Sequence, residues 1–308
     1  MDKIEHLVFS GGLSAGFIEY GITKELITSK TLNISNIKSM HGTSIGTWNA
    51  LFFILNYELS VLDDFLIKRP WNKVCTITPE NIMNIFTKKG IFGKELIFES
   101  LVSLFKAKNI SETITMKELF DITNIKFYIY ATNLNDMKSE EFSYETTPDM
   151  QVIDAIYASC AIPLFLKPLY YNNTLYIDGG LFNEYPLDSC VRKNINSDNT
   201  EDINSVLSKI LGIHFSFDVI ENITSTLDEN THITKYLTCI LRGMFYRLNN
   251  NAQQHKIKYQ IDVPIDKTKI NSGFDEVALK SEKRIELINI GIEIAKNFIE
   301  KTEDNENQ

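Results

Sequence analysis

The 308-residue chain has only four cysteines, Cys75, Cys160, Cys190 and Cys239, far apart and without a C-x-x-C pair. That spacing excludes a zinc ribbon or a disulfide scaffold and predicts reduced, mostly buried thiols. The five histidines form no H-E-x-x-H or H-x-H pair, so no metal or other cofactor is expected. Basic charge is scarce: the net charge is −9 and no basic block occurs, which removes the electrostatic footprint of a nucleic-acid partner. No apolar run approaches the ~18–20 residues of a membrane span. The start, Met1-Asp2-Lys3-Ile4-Glu5-His6, is polar and acidic, unlike a secretory signal. A cytoplasmic location is expected, with peripheral membrane contact left open. No repeat and no linker divides the chain, so one domain is predicted over 1–300, followed by a disordered polar tail over 301–308.

What the chain has is apolar periodicity punctuated by glycine. Hydrophobic residues make up 44% of it, enough for a continuous core. Ile4 to Phe9 reads as a buried strand stopped by Ser10-Gly11-Gly12, and Phe17 to Ile27 as a helix. Ile37 to His41 reads as a second strand and Ile45 to Leu55 as a buried helix. Strand, helix, strand, helix predicts a parallel α/β sheet with both glycine loops at the carboxyl ends of neighbouring strands, where such folds bind ligands.

Residues 59–120 read as a mostly helical region, a candidate lid or interfacial surface whose ordinary alternative is core packing. Thr115-Met116-Lys117-Glu118 has capping-box spacing. Strands follow at 127–132, 141–144, 174–177, 210–217 and 259–263, with a helix at 152–161 and a polar loop at 194–204. An apolar stripe from Ile233 to Leu248 and a last helix over 281–299 complete the pattern.

The pentapeptide Gly-x-Ser-x-Gly occurs twice, as Gly12-Leu13-Ser14-Ala15-Gly16 and Gly42-Thr43-Ser44-Ile45-Gly46. A nucleophile elbow needs its first glycine directly after a strand, so that the strand aims the serine. Gly42 meets this condition, whereas Ser10 and Gly11 separate Phe9 from Gly12. Ser44 is therefore the candidate nucleophile. The longer Gly11–Gly12–Leu13 loop, with N–H groups at a helix start, is the candidate oxyanion hole. A serine needs a base, and Asp178 is the candidate, ending a strand at the turn Asp178-Gly179-Gly180. Taken alone, Asp-Gly-Gly is an ordinary turn. A triad of Ser44 and Asp178 with His214 or His255 also fits the chain order of α/β-hydrolases, although those enzymes place several strands before the elbow. His41 reads as a local packing or capping residue.

The ordered set resembles the patatin-like phospholipases. Phe9-Ser10-Gly11-Gly12 with the helix through Gly21 is similar to the family's first block, and His41-Gly42-Thr43-Ser44-Ile45-Gly46 to its nucleophile block. Ala131-Thr132-Asn133-Leu134 and Ala158-Ser159-Cys160-Ala161-Ile162-Pro163 are similar to its middle segments. Tyr176-Ile177-Asp178-Gly179-Gly180-Leu181, with Asn183 and Pro186, resembles its aspartate block. The likeness spans about 4–187 and, more loosely, 257–299.

It implies a three-layer α/β sandwich with a mostly parallel central sheet flanked by helices. It also implies a Ser44–Asp178 dyad that hydrolyses lipid or phospholipid acyl esters through an acyl-enzyme, without histidine or metal. Gly11, Gly12 and Leu13 would form the oxyanion hole, and Gly16, Gly42, Gly46, Gly179 and Gly180 would be motif glycines. The first block departs from the family's Gly-Gly-Gly-x-Arg/Lys-Gly: Leu13 replaces the third glycine and Ala15 the cation. That departure keeps a second reading in play, a catalytically weak lipid-binding or scaffold protein.

Overall fold

The computed structural model describes residues 3–74, 79–195, 202–216, 240, 243, 248, 255–264 and 274–306. The first strand, β1 (His6–Phe9), is buried along its length and ends where Ser10-Gly11-Gly12 begins. A 3-10 turn, Leu13–Ala15, leads into α1 (Gly16–Thr28). Next come β2 (Ser39–Thr43) and α2 (Ile45–Ile54), with Ser44 alone between them. The second strand thus runs two residues further than its apolar pattern suggests. Gly42 is part of it, because its backbone pairs with Phe9 on one side and Ile129 on the other.

The 59–120 region contains α3 (Leu59–Lys68), α4 (Trp71–Val74), α5 (Pro79–Lys88), a short strand β3 (Gly90–Phe92), α6 (Glu95–Ala107) and the start of α7 (Met116–Thr123). The capping box before α7 is present: Glu118 N–H donates to Thr115 Oγ1 at 3.2 Å and Thr115 N–H to Glu118 Oε2 at 2.9 Å. Buried residues of α6, among them Leu101, Leu104 and Phe105, share one hydrophobic cluster with Leu7, Met40 and Ile129 of the sheet.

Then follow β4 (Lys126–Asn133), β5 (Lys138–Phe142), α8 (Val152–Cys160), β6 (Leu164–Leu166), β7 (Leu169–Tyr171) and β8 (Thr174–Asp178). After these come α9 (Leu187–Asn194), α10 (Ile203–Leu207), β9 (Ile210–Ser216), β10 (Tyr259–Pro264), α11 (Phe274–Leu279) and α12 (Ser281–Glu306). The fifth strand starts earlier than its sequence pattern predicts. Asn133 Oδ1 accepts the N–H groups of Asn135 and Asp136, and this tight turn returns the chain at Lys138.

The main sheet runs β10-β9-β1-β2-β4-β8-β7, with β5 also on β4. Its first five strands are parallel, while β5, β7 and β8 enter antiparallel. β3 and β6 form a separate pair. The central parallel strands are buried on both faces, as parallel strands are. Helices α1, α2 and α8 cover one face. On the other, Leu187, Cys190 and Val191 of α9 and Val206 of α10 pack on Val8 and Ile210. The fold is the expected α/β class with helices flanking a mostly parallel sheet.

Helices α1 and α12 touch backbone to backbone. A side-chain carbon on Gly21 would fall 2.1 Å from Ile288 O, and one on Gly291 would fall 2.1 Å from Ile18 O. Only glycine permits that approach.

The last helix also corrects an expectation: 301–306 is helical rather than a disordered tail, and Thr302 Oγ1 donates to Phe298 O at 2.8 Å. The segment is charged, but it holds no proline or glycine to stop the helix. The stripe predicted from Ile233 to Leu248 lies outside the described residues except at 240, 243 and 248, as do the loop over 196–201, Cys75 and Cys239. Cys160 and Cys190 are free, buried thiols. Among the described residues, no helix is long and apolar enough to cross a membrane.

Candidate active site

Ser44 sits on the elbow between β2 and α2 with φ 51° and ψ −125°. A non-glycine residue held there stores roughly 1–3 kcal/mol of backbone strain, which surrounding contacts must hold in place. Ser44 N–H donates to Ser159 Oγ at 2.9 Å, and Ser159 in turn donates to Tyr130 O at 2.6 Å. Thr47 grips the Ser44 carbonyl through both its N–H (2.9 Å) and its hydroxyl (2.6 Å). Gly46 lets α2 begin against the end of β1, since a side-chain carbon there would lie 2.7 Å from Phe9 O. The elbow is therefore clamped from β1, β4 and α8.

Asp178 reaches this point through strand register. Thr43 of β2 pairs with Tyr130 of β4, and the next residue, Ala131, pairs with Asp178 at the end of antiparallel β8. The turn after Asp178 folds tightly against β4, where any side chain on Gly179 would strike Tyr130 O. Asp178 Oδ1 accepts Gly180 N–H at 2.8 Å, whereas the buried Oδ2 accepts no hydrogen bond. Burial raises this carboxyl from 3.8 to about 6, and the neighbouring Ser44 hydroxyl and Gly180 N–H pull the other way. The structure thus brings Ser44 and Asp178 together.

The four described histidines are engaged elsewhere. His214 Nδ1 pairs with Asp262 at 3.0 Å and His255 Nδ1 with Asp188 at 2.6 Å. His41 belongs to a buried chain: Nδ1 meets Tyr130 OH at 2.9 Å, Nε2 meets Ser39 Oγ at 3.2 Å, and Ser39 meets His6 Nδ1 at 2.8 Å. Among the described residues, no histidine hydrogen bond or ion pair to Ser44 or Asp178 occurs.

The glycine loop is only partly what the sequence suggests. Gly11 abuts Ser44, but its N–H is taken by Glu184 O at 2.9 Å, so it is not a free oxyanion donor. Gly12 and Leu13 N–H have no partner among the described residues. Leu13 keeps a glycine-like φ of 51°, and its side chain points outward, 45% exposed. Ala15 is fully buried core. Ser14, the other pentapeptide serine, lies in the 3-10 turn rather than on an elbow. Gly16 opens α1, and Gly180 lies in the turn after β8.

One participant escaped sequence reasoning. Glu19 of α1 is fully buried behind the loop; its Oε1 accepts Ser10 N–H at 3.0 Å and its Oε2 accepts Asn49 Nδ2 at 2.6 Å. Asn49 also donates to Gly16 O at 3.0 Å, so this pair ties the loop to α2. Burial holds the Glu19 carboxyl well above the usual range, against the Asn49 and Ser10 hydrogen bonds. The only sequence signal was an acid in the first turn of an otherwise apolar helix.

Next to Ser44 opens an apolar cavity of about 130 Å³, walled by Phe17, Ile45, Trp48, Phe52, Leu66, Trp71, Leu96 and Ile162 among others. A larger polar cavity of about 360 Å³, lined by Tyr130, Glu141, Asn183, Ser189 and Arg192, lies by α9 and includes neither Ser44 nor Asp178. Among the described residues, no cluster of potential metal ligands occurs.

The chain is 32% identical over 188 residues to "Probable lipid hydrolase 463L" of Invertebrate iridescent virus 6, a match covering 60% of the chain and 63% of that relative. It is 23% identical over 296 residues to "Uncharacterized protein R571" of Acanthamoeba polyphaga mimivirus, covering 93% of the chain and 96% of the relative. Among solved structures, VipD from Legionella pneumophila aligns with 93% of the chain and 67% of its own, at 14% identity and a TM-score of 0.48. The sequence profile of the patatin-like phospholipases matches residues 7–191, more than half of the chain, and the protein belongs to that family.

Proposed function

We propose that the protein hydrolyses fatty-acyl esters of lipids through a Ser44–Asp178 dyad. The observation that carries this reading is the buried, unpartnered Asp178 Oδ2 beside a serine held at positive φ. Asp178 takes the Ser44 proton as Oγ attacks the ester carbonyl. The free N–H groups of Gly12 and Leu13 receive the oxyanion, and the N-terminus of α2 adds its dipole. The alcohol leaves with the proton from Asp178; water, deprotonated by the same carboxylate, then releases the fatty acid. No histidine is required. The apolar cavity holds the acyl chain, and exposed Leu13, which lines it, with exposed Leu279, next in the chain to the lining residue Ala278, suits contact with a lipid surface from the cytoplasm.

The test is covalent labelling. A fluorophosphonate should modify Ser44, found by peptide mass spectrometry, and Ser44→Ala should lose both the adduct and release of p-nitrophenol from acyl esters. Undiminished turnover in Ser44→Ala would sink the dyad. A folded protein that takes no label with lipid present points to the weak lipid-binding or scaffold reading, which the strained Leu13 and the cation-free Ala15 favour.

Two further outcomes are expected. The base must be ionised, so kcat/KM should rise about tenfold per pH unit up to about pH 6 and level off above it. Chain length should matter up to a limit. A cavity of about 150 Å³ holds a benzene ring, so this one encloses roughly six carbons. Each added methylene should raise kcat/KM about fourfold until that length and little beyond it. A p-nitrophenyl ester series reads both.

A further inference from the structure

The chain is acidic as a whole, yet residues 68–94 carry six cations, Lys68, Arg69, Lys73, Lys88, Lys89 and Lys94, against one acid, Glu80. Half of these cations are engaged. Lys68 pairs with Asp64 and Lys94 with Asp154, while the Arg69 guanidinium lies over the rings of Phe65 and Trp71. Lys73, Lys88 and Lys89 are exposed and have no ion pair among the described residues. The same stretch holds Phe86, at 80% the most exposed large apolar side chain among the described residues, and Met83 at 62%. Three residues apart on α5, they share one face of the helix.

Both groups are tied to the wall of the cavity beside Ser44. Helix α4, which carries Lys73, puts Trp71 in that wall and packs on α11, where Leu279 is exposed. Helix α5 ends at Lys88, and Gly90 just beyond it pairs with Leu164, between the wall residues Ile162 and Phe165. An apolar pocket on a partner protein would cover Phe86 and Met83 but would leave the lysines unanswered. An anionic lipid surface takes both: the rings enter the boundary with the acyl chains, and the ammonium groups meet the headgroups. The acids elsewhere do not cancel this attraction. At about 0.1 M salt, charges more than about 10 Å away are largely screened.

We propose that α5 and Lys73 dock this side of the cavity on an anionic lipid surface. Phe86 and Met83 enter the interface, and Lys73, Lys88 and Lys89 select for negative headgroups. As a way of delivering substrate, docking rests on the acyl-ester hydrolase reading; as binding, it does not.

The experiment is vesicle sedimentation of Ser44→Ala protein, which leaves the lipid intact. Vesicles of phosphatidylcholine alone are compared with vesicles of one part phosphatidylglycerol to three parts phosphatidylcholine. A lysine at an anionic surface is worth about fivefold in binding, so three should favour the mixed vesicles by at least about tenfold. Raising the salt to about 1 M, where the Debye length is about 3 Å, should erase that preference. Lys73→Gln, Lys88→Gln and Lys89→Gln together should erase it too, in protein whose circular dichroism is unchanged. Phe86→Ser with Met83→Ser should weaken binding to the mixed vesicles at least about tenfold. Equal binding to both vesicles, binding to neither, a preference that survives the lysine substitutions, or full binding without Phe86 and Met83 would each overturn the proposal. A dimer that depends on Phe86, in place of vesicle binding, would assign α5 to a second copy of the chain and overturn it as well. Wild-type protein that docks as expected yet turns over no acyl ester sinks the hydrolase reading and leaves docking standing. Ester turnover without vesicle binding does the reverse.

Discussion

Asp178→Asn is expected to lower kcat/KM by about 10²–10⁴, the usual worth of a general base, and at the same time to stabilise the fold. The two effects share one cause. The carboxyl titrates near 6 in the folded protein and at 3.8 in the free side chain. Between those values the folded state holds the proton more tightly, so stability is lost as pH rises through the window. Above pH 6 the ionised group destabilises the fold by about 3 kcal/mol. Asparagine carries no charge and its oxygen can still accept Gly180 N–H. Urea denaturation should show the variant more stable by about that amount at pH 8, with the difference vanishing below pH 3.8. Equal stability at both pH values would mean that Asp178 is not a strained, buried base.

Acid should weaken the protein through a different group. Burial, the largest influence on His6, lowers its pKa from 6.5 to about 4, and its Nδ1 bonds Ser39 in the chain that ends at Tyr130. The sign is opposite to that of Asp178. Between pH 6.5 and 4 the unfolded chain takes up a proton that the folded protein refuses, so stability is lost as pH falls. His6 alone contributes about 3 kcal/mol over that interval. His41, also held well below its ordinary value by burial, acts in the same direction. Because Asp178 offsets part of this loss, the clean measurement is a comparison. Denaturation of wild type and His6→Gln at pH 7 and pH 4 should show wild type losing about 3 kcal/mol more than the variant.

The strand-helix order at the start of the chain was legible because apolar runs and glycine stops are local signals. So was the elbow, since one residue between β2 and α2 leaves little freedom. The meeting of Asp178 with Ser44 depends on an antiparallel strand joining a parallel sheet at one register, and no local pattern encodes register. Glu19 was missed because an acid in the first turn of a helix usually faces water. Here Asn49 and the Ser10 N–H make its burial possible. The Gly11 N–H, a donor by its place in the loop, is taken by the carbonyl of Glu184, distant in sequence. Leu13 could be recognised as a departure from pattern, but not as a leucine forced into the backbone shape of the glycine it replaces. For the 59–120 helices the sequence leaves a lid and ordinary core packing both open, and α6 contributes to the same core as the central strands.

The paired contacts of Gly21 and Gly291 bear on motion. Two helices touching backbone to backbone at two points can neither slide nor roll past one another without collision. The glycine loop is joined to α1, so a movement that swings the helix to open the loop must carry α12 with it. Opening is then a rigid-body displacement of two helices about β1, and amide exchange along α12 would report it far from Ser44 itself.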